Sequence, residues 1–290
     1  MKASWIAGVV VASLGLSACG ATATIHSAVS SLGSSPDVQV HLTGTVSGTG
    51  TAQAQQVLSE MSIDMKYSNP SGAALSQAGA AVDSEITVNV GTEALADLRE
   101  VSGNVYVMID VTALSNIPSL TLPSSELNDL QLLVGGRWFE LPKSFIDSYT
   151  PPVSASTATT AKDQAAAKKI FDAISNLINT TPYTTLPNGG FSQTGSLEKV
   201  VTSVLPAIES VAGTSVHPTS VKGSYTITLT MSGATATGGS ITITAPNGTQ
   251  GNASVGLQAT VTHNSDSVAT PSGATIITKS LLKGLLSQAS

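Results

Sequence analysis

The most specific chemical group in this chain is a thiol, because the 290 residues include a single cysteine, Cys19. It directly follows Leu16, Ser17 and Ala18, at the end of a short apolar run near the N-terminus. A lone cysteine cannot form an intramolecular disulfide, and its thiolate is a nucleophile that can be modified covalently. We therefore expect Cys19 to be a modification site, and the alternative is a buried structural cysteine.

The residues before Cys19 have the pattern of a secretory signal peptide. Lys2 supplies a positive charge, and the apolar run at 5–16 contains no charged side chain. That run is shorter than the roughly 20 residues of a membrane span, and the alternative is a buried helix of the mature domain. Leu-Ser-Ala-Cys at 16–19 resembles the bacterial lipobox, which implies that the sulfur receives a diacylglyceryl group and that cleavage occurs just before it. We expect the mature protein to be lipid-anchored at the outer, extracytoplasmic face of the cell membrane, since two acyl chains suffice for stable anchoring.

No other combination of residue types forms a recognisable catalytic or metal-binding pattern. Ser196 and Lys199 fit the S-x-x-K pattern of penicillin-binding proteins, but the S-D-N and K-T-G companions are absent. Ser196 is instead well placed to cap a helix. We expect no enzyme activity, no bound metal and no cofactor, because the chain also lacks a phosphate-binding loop and a G-x-S-x-G elbow. The histidines lack the spacing of metal ligands: His26, His41, His217 and His263.

The composition argues against several classes of partner. The formal net charge is −6, and Lys and Arg are scattered along the chain, so we expect no binding of nucleic acid. Aromatic residues make up only 4%, which argues against stacking platforms for sugars or bases. Four carboxylates lie in or beside predicted strands, and we expect them on solvated faces: Asp64, Asp83, Glu85 and Asp110.

The hydrophobic pattern predicts two groups of β-strands separated by helices. Apolar and polar residues alternate in short runs after Pro36 and again after Gly213, as in antiparallel strands with one covered face. Residues 160–212 form a predicted helical insert, whose first apolar stripe is Ile170, Ile174, Leu177 and Ile178. The expected strands are at 38–42, 63–67, 86–90, 105–111, 138–141, 225–231, 241–245, 255–261 and 275–277. Short helices are expected at 24–32 and 280–287.

These elements predict an α+β protein in which a sheet packs on helices. We expect residues 1–18 to be the signal peptide, 19–36 to be an N-terminal tether with a short helix, and 37–290 to be a single domain. A curved sheet that clasps helices would leave an apolar space between them, which is a natural site for a lipid-like ligand.

Three short motifs carry a resemblance to a known family. Residues 103–107 are similar to its G-x-x-Y-V strand, 135–139 to its G-x-x-W-aromatic strand, and 268–274 to its closing V-x-x-P-x-x-A stretch. Together with the lipobox and the order of elements, they resemble the actinobacterial LppX/LprAFG lipoproteins, a group similar to LolA and LolB. The resemblance implies a curved antiparallel half-barrel that is closed by helices around a hydrophobic cavity. It also implies that the protein carries a lipid or glycolipid across the cell envelope.

Two functions follow from this resemblance and from the sequence pattern. The first is an anchored lipoprotein, expected to be a monomer, that binds or transfers a lipid or glycolipid. The second is a non-enzymatic structural or interaction lipoprotein of the cell envelope without lipid cargo. For the first function we expect eight strand residues to line the cavity, although ordinary core packing is the alternative for each: Ile63, Met65, Tyr67, Val105, Val107, Ile109, Ile227 and Leu229.

Overall fold

One sheet of twelve strands dominates the computed structural model of the protein. The structure describes residues 21–78, 82–116, 131, 135–145, 168–169, 172, 176–177, 180–212, 221–247, 251–278 and 280. The strand order is β12-β6-β5-β4-β3-β2-β1-β11-β10-β9-β8-β7. All neighbouring strands are antiparallel except β12 and β6. The molecule is therefore α+β with a large, open, mostly antiparallel sheet.

The strands of the first half of the sheet follow one another along the chain. They are β1 Asp37–Ser47, β2 Met61–Ser68, β3 Asp83–Val90, β4 Glu93–Val101, β5 Asn104–Ile109 and β6 Phe139–Leu141. Those of the second half are β7 Tyr183–Thr185, β8 Phe191–Ser196, β9 Ser224–Ser232, β10 Thr235–Pro246 and β11 Asn252–His263, and β12 is Thr275–Ile276. Because β1 pairs with both β2 and β11, the two halves form one continuous sheet.

Helices connect or flank these strands. Those whose bounds the structure gives are α1 Ala21–Ser34, α2 Ala52–Glu60 and α3 Leu197–Ala212, with 3-10 helices at Leu75–Gln77 and Val111–Asn116. Within the described ranges, no helix combines the length and the apolar character needed to cross a bilayer.

The register of the strands sorts the side chains onto two chemically different faces. One cross-strand row is entirely apolar and runs from β5 to β11: Val107, Leu98, Ile86, Met65, Val40 and Val261. The neighbouring row on the opposite side is polar: Arg99, Glu85, Lys66, Gln39 and Thr262. Successive side chains of a strand point to opposite faces, so these rows define an apolar face and a polar face. The alternation read from the sequence is confirmed.

Helices α1 and α2 both pack on the apolar face. Ala28 of α1 is buried against Met231 and Ala236. Gly44 of β1 lies beneath α2, because a Cβ atom at this position would be 3.2 Å from a methyl group of Leu58. At the same end of the sheet, the 3-10 helix at Val111–Asn116 buries Ala113 against Val90. These elements cover parts of the apolar face and leave other parts exposed.

A connecting segment covers part of the polar face. Residues 264–274, here named the strap, run from the end of β11 to β12 at the far edge of the sheet. Val268 packs against Val101 and Tyr106, and its backbone N–H donates to Ser68 Oγ at 2.8 Å. Tyr106 lies on the polar face, and the strap buries it. The polar face is therefore only partly open to water.

The structure contains elements that the pattern of the sequence did not predict. Strand β4 is rich in Ala, Leu and Glu, which favour helices, yet it pairs with β3 and β5 on both sides. Strands β7 and β8 lie within the predicted helical insert and are rich in Ser, Thr and Gly. Helix α2 was also missed, because only Val57 and Leu58 interrupt its polar sequence. The strand expected at 105–111 ends at Ile109.

Some predicted features lie outside the described residues. These are the signal peptide, Cys19, most of the apolar stripe at 170–178 and the C-terminal helix beyond Ser280. Leu177 of that stripe is described and is buried. Helix α3 lies within the predicted helical insert and contains Pro206.

Candidate functional site

The eight residues predicted to line a cavity all belong to the apolar face. Their register partners show this, since Met65 lies opposite Val40 and Ile86, Val107 opposite Leu98, and Leu229 opposite Phe191. The structure brings them to one face in three groups, on β2, β5 and β9. Their role in a cavity stays a prediction.

Large aliphatic side chains on this face remain exposed to solvent. Seven of them are between 37% and 55% exposed, although a single buried core would cover such residues. They form two patches on either side of β1. The β2–β5 patch is Ile63, Leu98 and Ile109, and the β10–β11 patch is Ile241, Ile243, Val255 and Leu257.

The β10–β11 patch was not among the residues predicted for the site. Ile243 pairs with Val255, and Ile241 pairs with both Leu257 and Ile227. The alternation of these residues was visible in the sequence. Their pairing beside Ile227 could also have been inferred, because β9, β10 and β11 follow one another along the chain and form two hairpins. Exposed apolar residues that cluster, rather than occur singly, mark binding surfaces.

The apolar face ends in polar side chains near the β4–β5 turn. Glu100 of β4 lies opposite Ser84 of β3, which lies opposite Tyr67 of β2. Burial raises the pKa of Glu100, the carboxylate of Asp83 raises it further, and Lys143 opposes this. Burial also raises the pKa of Tyr67, whose hydroxyl lies 4.0 Å from the sulfur of Met65. We name Glu100, Ser84 and Tyr67 the polar row.

His263 fastens helix α1 to the same end of the face. Its Nε2 lies 2.8 Å from the carbonyl oxygen of Ala236, and its Nδ1 lies 3.0 Å from Ser35 Oγ. Because a carbonyl only accepts, Nε2 carries a proton and donates to it, and the Ser35 hydroxyl can donate to Nδ1. Both ring nitrogens are therefore used in holding the fold, and His263 does not serve as a free base.

Asp64 is the centre of a hydrogen-bonded cluster on the polar face. Its carboxylate lies 2.9 Å from His41 Nδ1, and it accepts hydrogen bonds from Gln39 at 3.1 Å and Asn89 at 2.8 Å. Burial alone would raise the pKa of Asp64, but hydrogen bonds from His41, Gln39 and Asn89 outweigh burial and lower it. Asp64 thus orients His41. Among the described residues, no serine or cysteine is a partner of His41, so the cluster as described contains no nucleophile.

Two of the four carboxylates expected on solvated faces are buried, so that expectation was wrong for them. Glu85 is buried, with its Oε1 at 3.2 Å from Arg99 Nη2 and its Oε2 at 3.7 Å from Lys66 Nζ. Asp83 accepts a hydrogen bond from the backbone N–H of Ser102. Asp97 is also buried, with 2.8 Å between its Oδ2 and Arg99 Nη2. Register, which the sequence does not reveal, brings these charges together.

Ser196 and Lys199 do not form a serine–lysine pair in the structure. Ser196 ends β8, and its Oγ accepts a hydrogen bond at 3.1 Å from the backbone N–H of Glu198 in the first turn of α3. This confirms the expected helix cap. Lys199 is exposed. Among the residues that the structure describes, no cluster of three or more His, Cys, Asp or Glu side chains could hold a metal ion.

An open groove of about 420 Å³ lies on the polar face of β1 and β9–β11. It is lined mainly by hydroxyl groups and glycines, so its chemistry does not suit an acyl chain. The residues at its floor include Thr45, Thr228, Thr242, Gly256, Gln258 and Thr260. This groove is on the opposite side of the sheet from the eight predicted cavity residues.

The predicted lipid-attachment residue, Cys19, lies just before the described part of the chain. Helix α1 begins two residues later, at Ala21, and packs on the apolar face through Ala28. An anchor at Cys19 would thus be joined to this face by a short helical connection. Comparison of the sequence with protein-family models and with curated proteins gives no match.

Proposed function

We propose that this protein is an exported, membrane-anchored lipoprotein that binds or transfers a lipid or glycolipid on the apolar face of its sheet. The observation that carries the proposal is that, among the described residues, seven of the eight exposed large aliphatic side chains lie on one face, the exception being Ile276. Fully burying one such side chain contributes about 1.5–3 kcal/mol, so covering several provides enough free energy to hold an acyl chain. The lack of acceptors and donors in both patches suits a hydrocarbon ligand.

The fold in this proposal is the half-barrel of the LppX/LprAFG and LolA type, with the apolar face inside. Two features support it. The sheet is a single antiparallel array of the required kind, apart from β12, and α1 and α2 lie on its apolar face. In such a half-barrel the ligand lies between the sheet and its helices, in contact with the β2–β5 and β10–β11 patches.

Lipid binding is tested with the full chain carrying Cys19→Ser, which prevents acylation of the protein itself. Native mass spectrometry detects co-purifying lipid, and displacement of a fluorescent fatty acid measures affinity. We expect Ile241→Lys to weaken acyl-chain binding at least tenfold, which corresponds to about 1.4 kcal/mol, because a charge replaces apolar surface on the ligand face.

Ser240→Lys is the matched control, since Ser240 precedes Ile241 on β10 and points to the polar face. It should bind the fluorescent fatty acid as the unsubstituted chain does. Repeated purification without lipid, together with no uptake of the fluorescent fatty acid, would contradict the proposal. That result would favour the alternative, a structural or interaction lipoprotein without lipid cargo.

A further inference from the structure

The polar face of the sheet has a charged half and an uncharged half. Strands β8, β9, β10 and β11 contain no Asp, Glu, Lys or Arg, although their polar-face side chains are half-buried or exposed. On the same face of β2 to β4, by contrast, Lys66 and Arg99 lie near Glu85 and Asp97. Exposed surface normally carries charged residues. The groove of about 420 Å³ lies in the uncharged half, against β1.

Two glycines form the floor of this groove. Each lies on the polar face between two threonines of the neighbouring strands. The two cross-strand rows are Thr230, Gly238, Thr260 and Thr242, Gly256, Thr45. A Cβ atom on Gly256 would be 2.6 Å from Thr45 Oγ1 and 3.3 Å from Thr242 Oγ1, so the two hydroxyl groups converge above the glycine. A glycine inside a strand often marks a site where a ligand approaches the backbone closely.

The hydroxyl groups inside the groove differ from those at its border in their hydrogen bonds. At the border, Thr194 Oγ1 lies 3.0 Å from Thr226 Oγ1, and Thr244 Oγ1 lies 2.8 Å from Ser254 Oγ. Within the described ranges, the side chains that line the groove have no such partner: Thr45, Thr228, Ser240, Thr242, Gln258 and Thr260. These groups are therefore available to a ligand.

His41 of β1 lies at one end of the groove, next to Thr260 in the same cross-strand row. Its Nδ1 lies 2.9 Å from the carboxylate of Asp64, which orients the ring. Because a carboxylate only accepts, Nδ1 carries a proton, and Nε2 of the neutral ring is an acceptor. Among the described residues, no group donates to Nε2. The groove thus ends at an oriented acceptor that a ligand can use.

These features favour a ligand that is neutral and rich in hydroxyl groups. An ionic ligand would lose hydration without gaining a partner of opposite charge from the lining, and a hydrocarbon would leave the lining hydroxyl groups without hydrogen bonds. A hydroxyl group of a ligand can donate to one threonine and accept from the next. The groove of about 420 Å³ falls within the range of about 300–1,000 Å³ that is usual for small-ligand sites.

We propose that this groove is a second binding site, separate from the apolar face, and that it binds a neutral glycan chain through hydrogen bonds. The two sites use opposite faces of the same strands, since Ser240 and Thr242 line the groove whereas Ile241 and Ile243 belong to the β10–β11 patch. The site does not depend on lipid binding. Recognition through hydroxyl groups also does not require the aromatic stacking platforms that the composition argues against.

The test compares soluble hexasaccharides that differ in charge. Neutral hexasaccharides of glucose, galactose and mannose are compared with an anionic hexasaccharide of galacturonate and a cationic one of glucosamine. Isothermal titration calorimetry with the full chain carrying Cys19→Ser measures the Kd of each. We expect at least one neutral hexasaccharide to bind with a Kd of roughly 1 mM or below. It should bind at least tenfold more tightly than either charged hexasaccharide.

Two pairs of substitutions assign the binding to the groove. Ser240→Lys should weaken the neutral hexasaccharide at least tenfold, because a long charged side chain fills the groove, whereas Ile241→Lys on the opposite face should leave its affinity unchanged. Thr242→Val removes one hydroxyl group and keeps the shape, and should weaken binding about fivefold. Thr262→Val is its control, because Thr262 is exposed on the same face of β11 outside the groove.

The outcomes separate this inference from the proposed lipid-binding function. If no neutral hexasaccharide binds, or if a charged one binds as tightly, the inference is wrong. It is also wrong if Thr262→Val weakens binding as much as Thr242→Val does, or if Ser240→Lys leaves binding unchanged. Binding of the fluorescent fatty acid should respond in the opposite way, to Ile241→Lys and not to Ser240→Lys. Thermal unfolding of each variant identifies any loss of binding that comes from loss of the fold.

Discussion

Arg99 joins two buried carboxylates of the polar face, Glu85 and Asp97. Its guanidinium group donates to Asp97, lies 3.2 Å from Glu85, and donates to the carbonyl oxygen of Ala269 in the strap at 3.1 Å. It also lies over the ring of Trp138, with 4.7 Å from Cζ to the ring centroid. One planar cation thus neutralises two buried carboxylates and joins β4 to the strap.

Replacing Arg99 should therefore cost more stability than replacing an exposed arginine. We expect Arg99→Met to lower the free energy of unfolding by about 3 kcal/mol, because it leaves the carboxylates of Glu85 and Asp97 buried without their main partner. Arg99→Lys keeps the charge but loses the planar fork and the contact with the ring, and should cost less. Urea unfolding at neutral pH measures the free energy of unfolding of the unsubstituted protein and of each variant.

Arg137→Met is the matched control, because Arg137 is exposed, and it should change the free energy of unfolding by less than about 0.5 kcal/mol. A loss at Arg99 no larger than the loss at Arg137 would show that the network does not hold the fold.

At the scale of the elements, a serine of helix α1 forms a hydrogen bond with the backbone of the sheet. Ser31 Oγ accepts a hydrogen bond at 2.9 Å from the backbone N–H of Ala236 and donates to the carbonyl oxygen of Ala28 at 2.6 Å. Ala236 is buried at the irregular register between β9 and β10, where the ladder skips Thr237. The side chain of a helix thus satisfies a backbone donor of the sheet.

Removing this hydroxyl should loosen α1. We expect Ser31→Ala to lower the free energy of unfolding by about 1–2 kcal/mol, because a buried N–H loses its partner, and to speed hydrogen exchange within residues 21–34. Ser30→Ala is the control, since Ser30 is the adjacent, exposed residue of the same helix. Equal exchange rates in the two variants would mean that the Ser31 hydroxyl does not hold the helix, and that the packing of Ala28 and the hydrogen bonds of His263 suffice.

The elements also show where sequence patterns suffice and where they fail. Alternation predicted β1, β2, β3 and β9 to β11, because each alternates apolar residues on one face with polar residues on the other. It missed β4, whose residues favour a helix and whose strand conformation is imposed by two neighbouring strands. It placed eight residues on what proved to be one face, including Tyr67 of the polar row, but not Ser84 and Glu100 of that row. That row depends on the pairing of strands, which only the folded chain reveals.

At the scale of the whole molecule, helix α1 joins the proposed anchor to the proposed ligand face. Ala21 begins α1, and the helix rises about 10 Å from there to Ala28, which packs on the apolar face. A lipid group on Cys19 would therefore hold the apolar face near the bilayer surface. The distance that a lipid must travel between membrane and protein would be short.

Acylation at Cys19 is expected to localise the protein without contributing to ligand affinity. We expect the protein made in a bacterial host to gain the mass of a diacylglyceryl group and to fractionate with membranes, whereas Cys19→Ser should be found in the soluble fraction. Acyl-chain binding by Cys19→Ser in solution should persist, because the anchor is not part of the apolar face. Transfer of lipid between vesicles should fall at least tenfold, since membrane binding then lacks the two acyl chains that make it stable.

A relocated thiol provides the control for this experiment. The double variant Cys19→Ser with Ser30→Cys carries one cysteine at an exposed position of α1, outside the Leu-Ser-Ala-Cys pattern. It should stay soluble and unmodified if the lipobox pattern directs acylation. Membrane association of Cys19→Ser equal to that of the unsubstituted chain would contradict a membrane anchor at Cys19. Lipid binding on the apolar face would then have to be explained without an acylated Cys19.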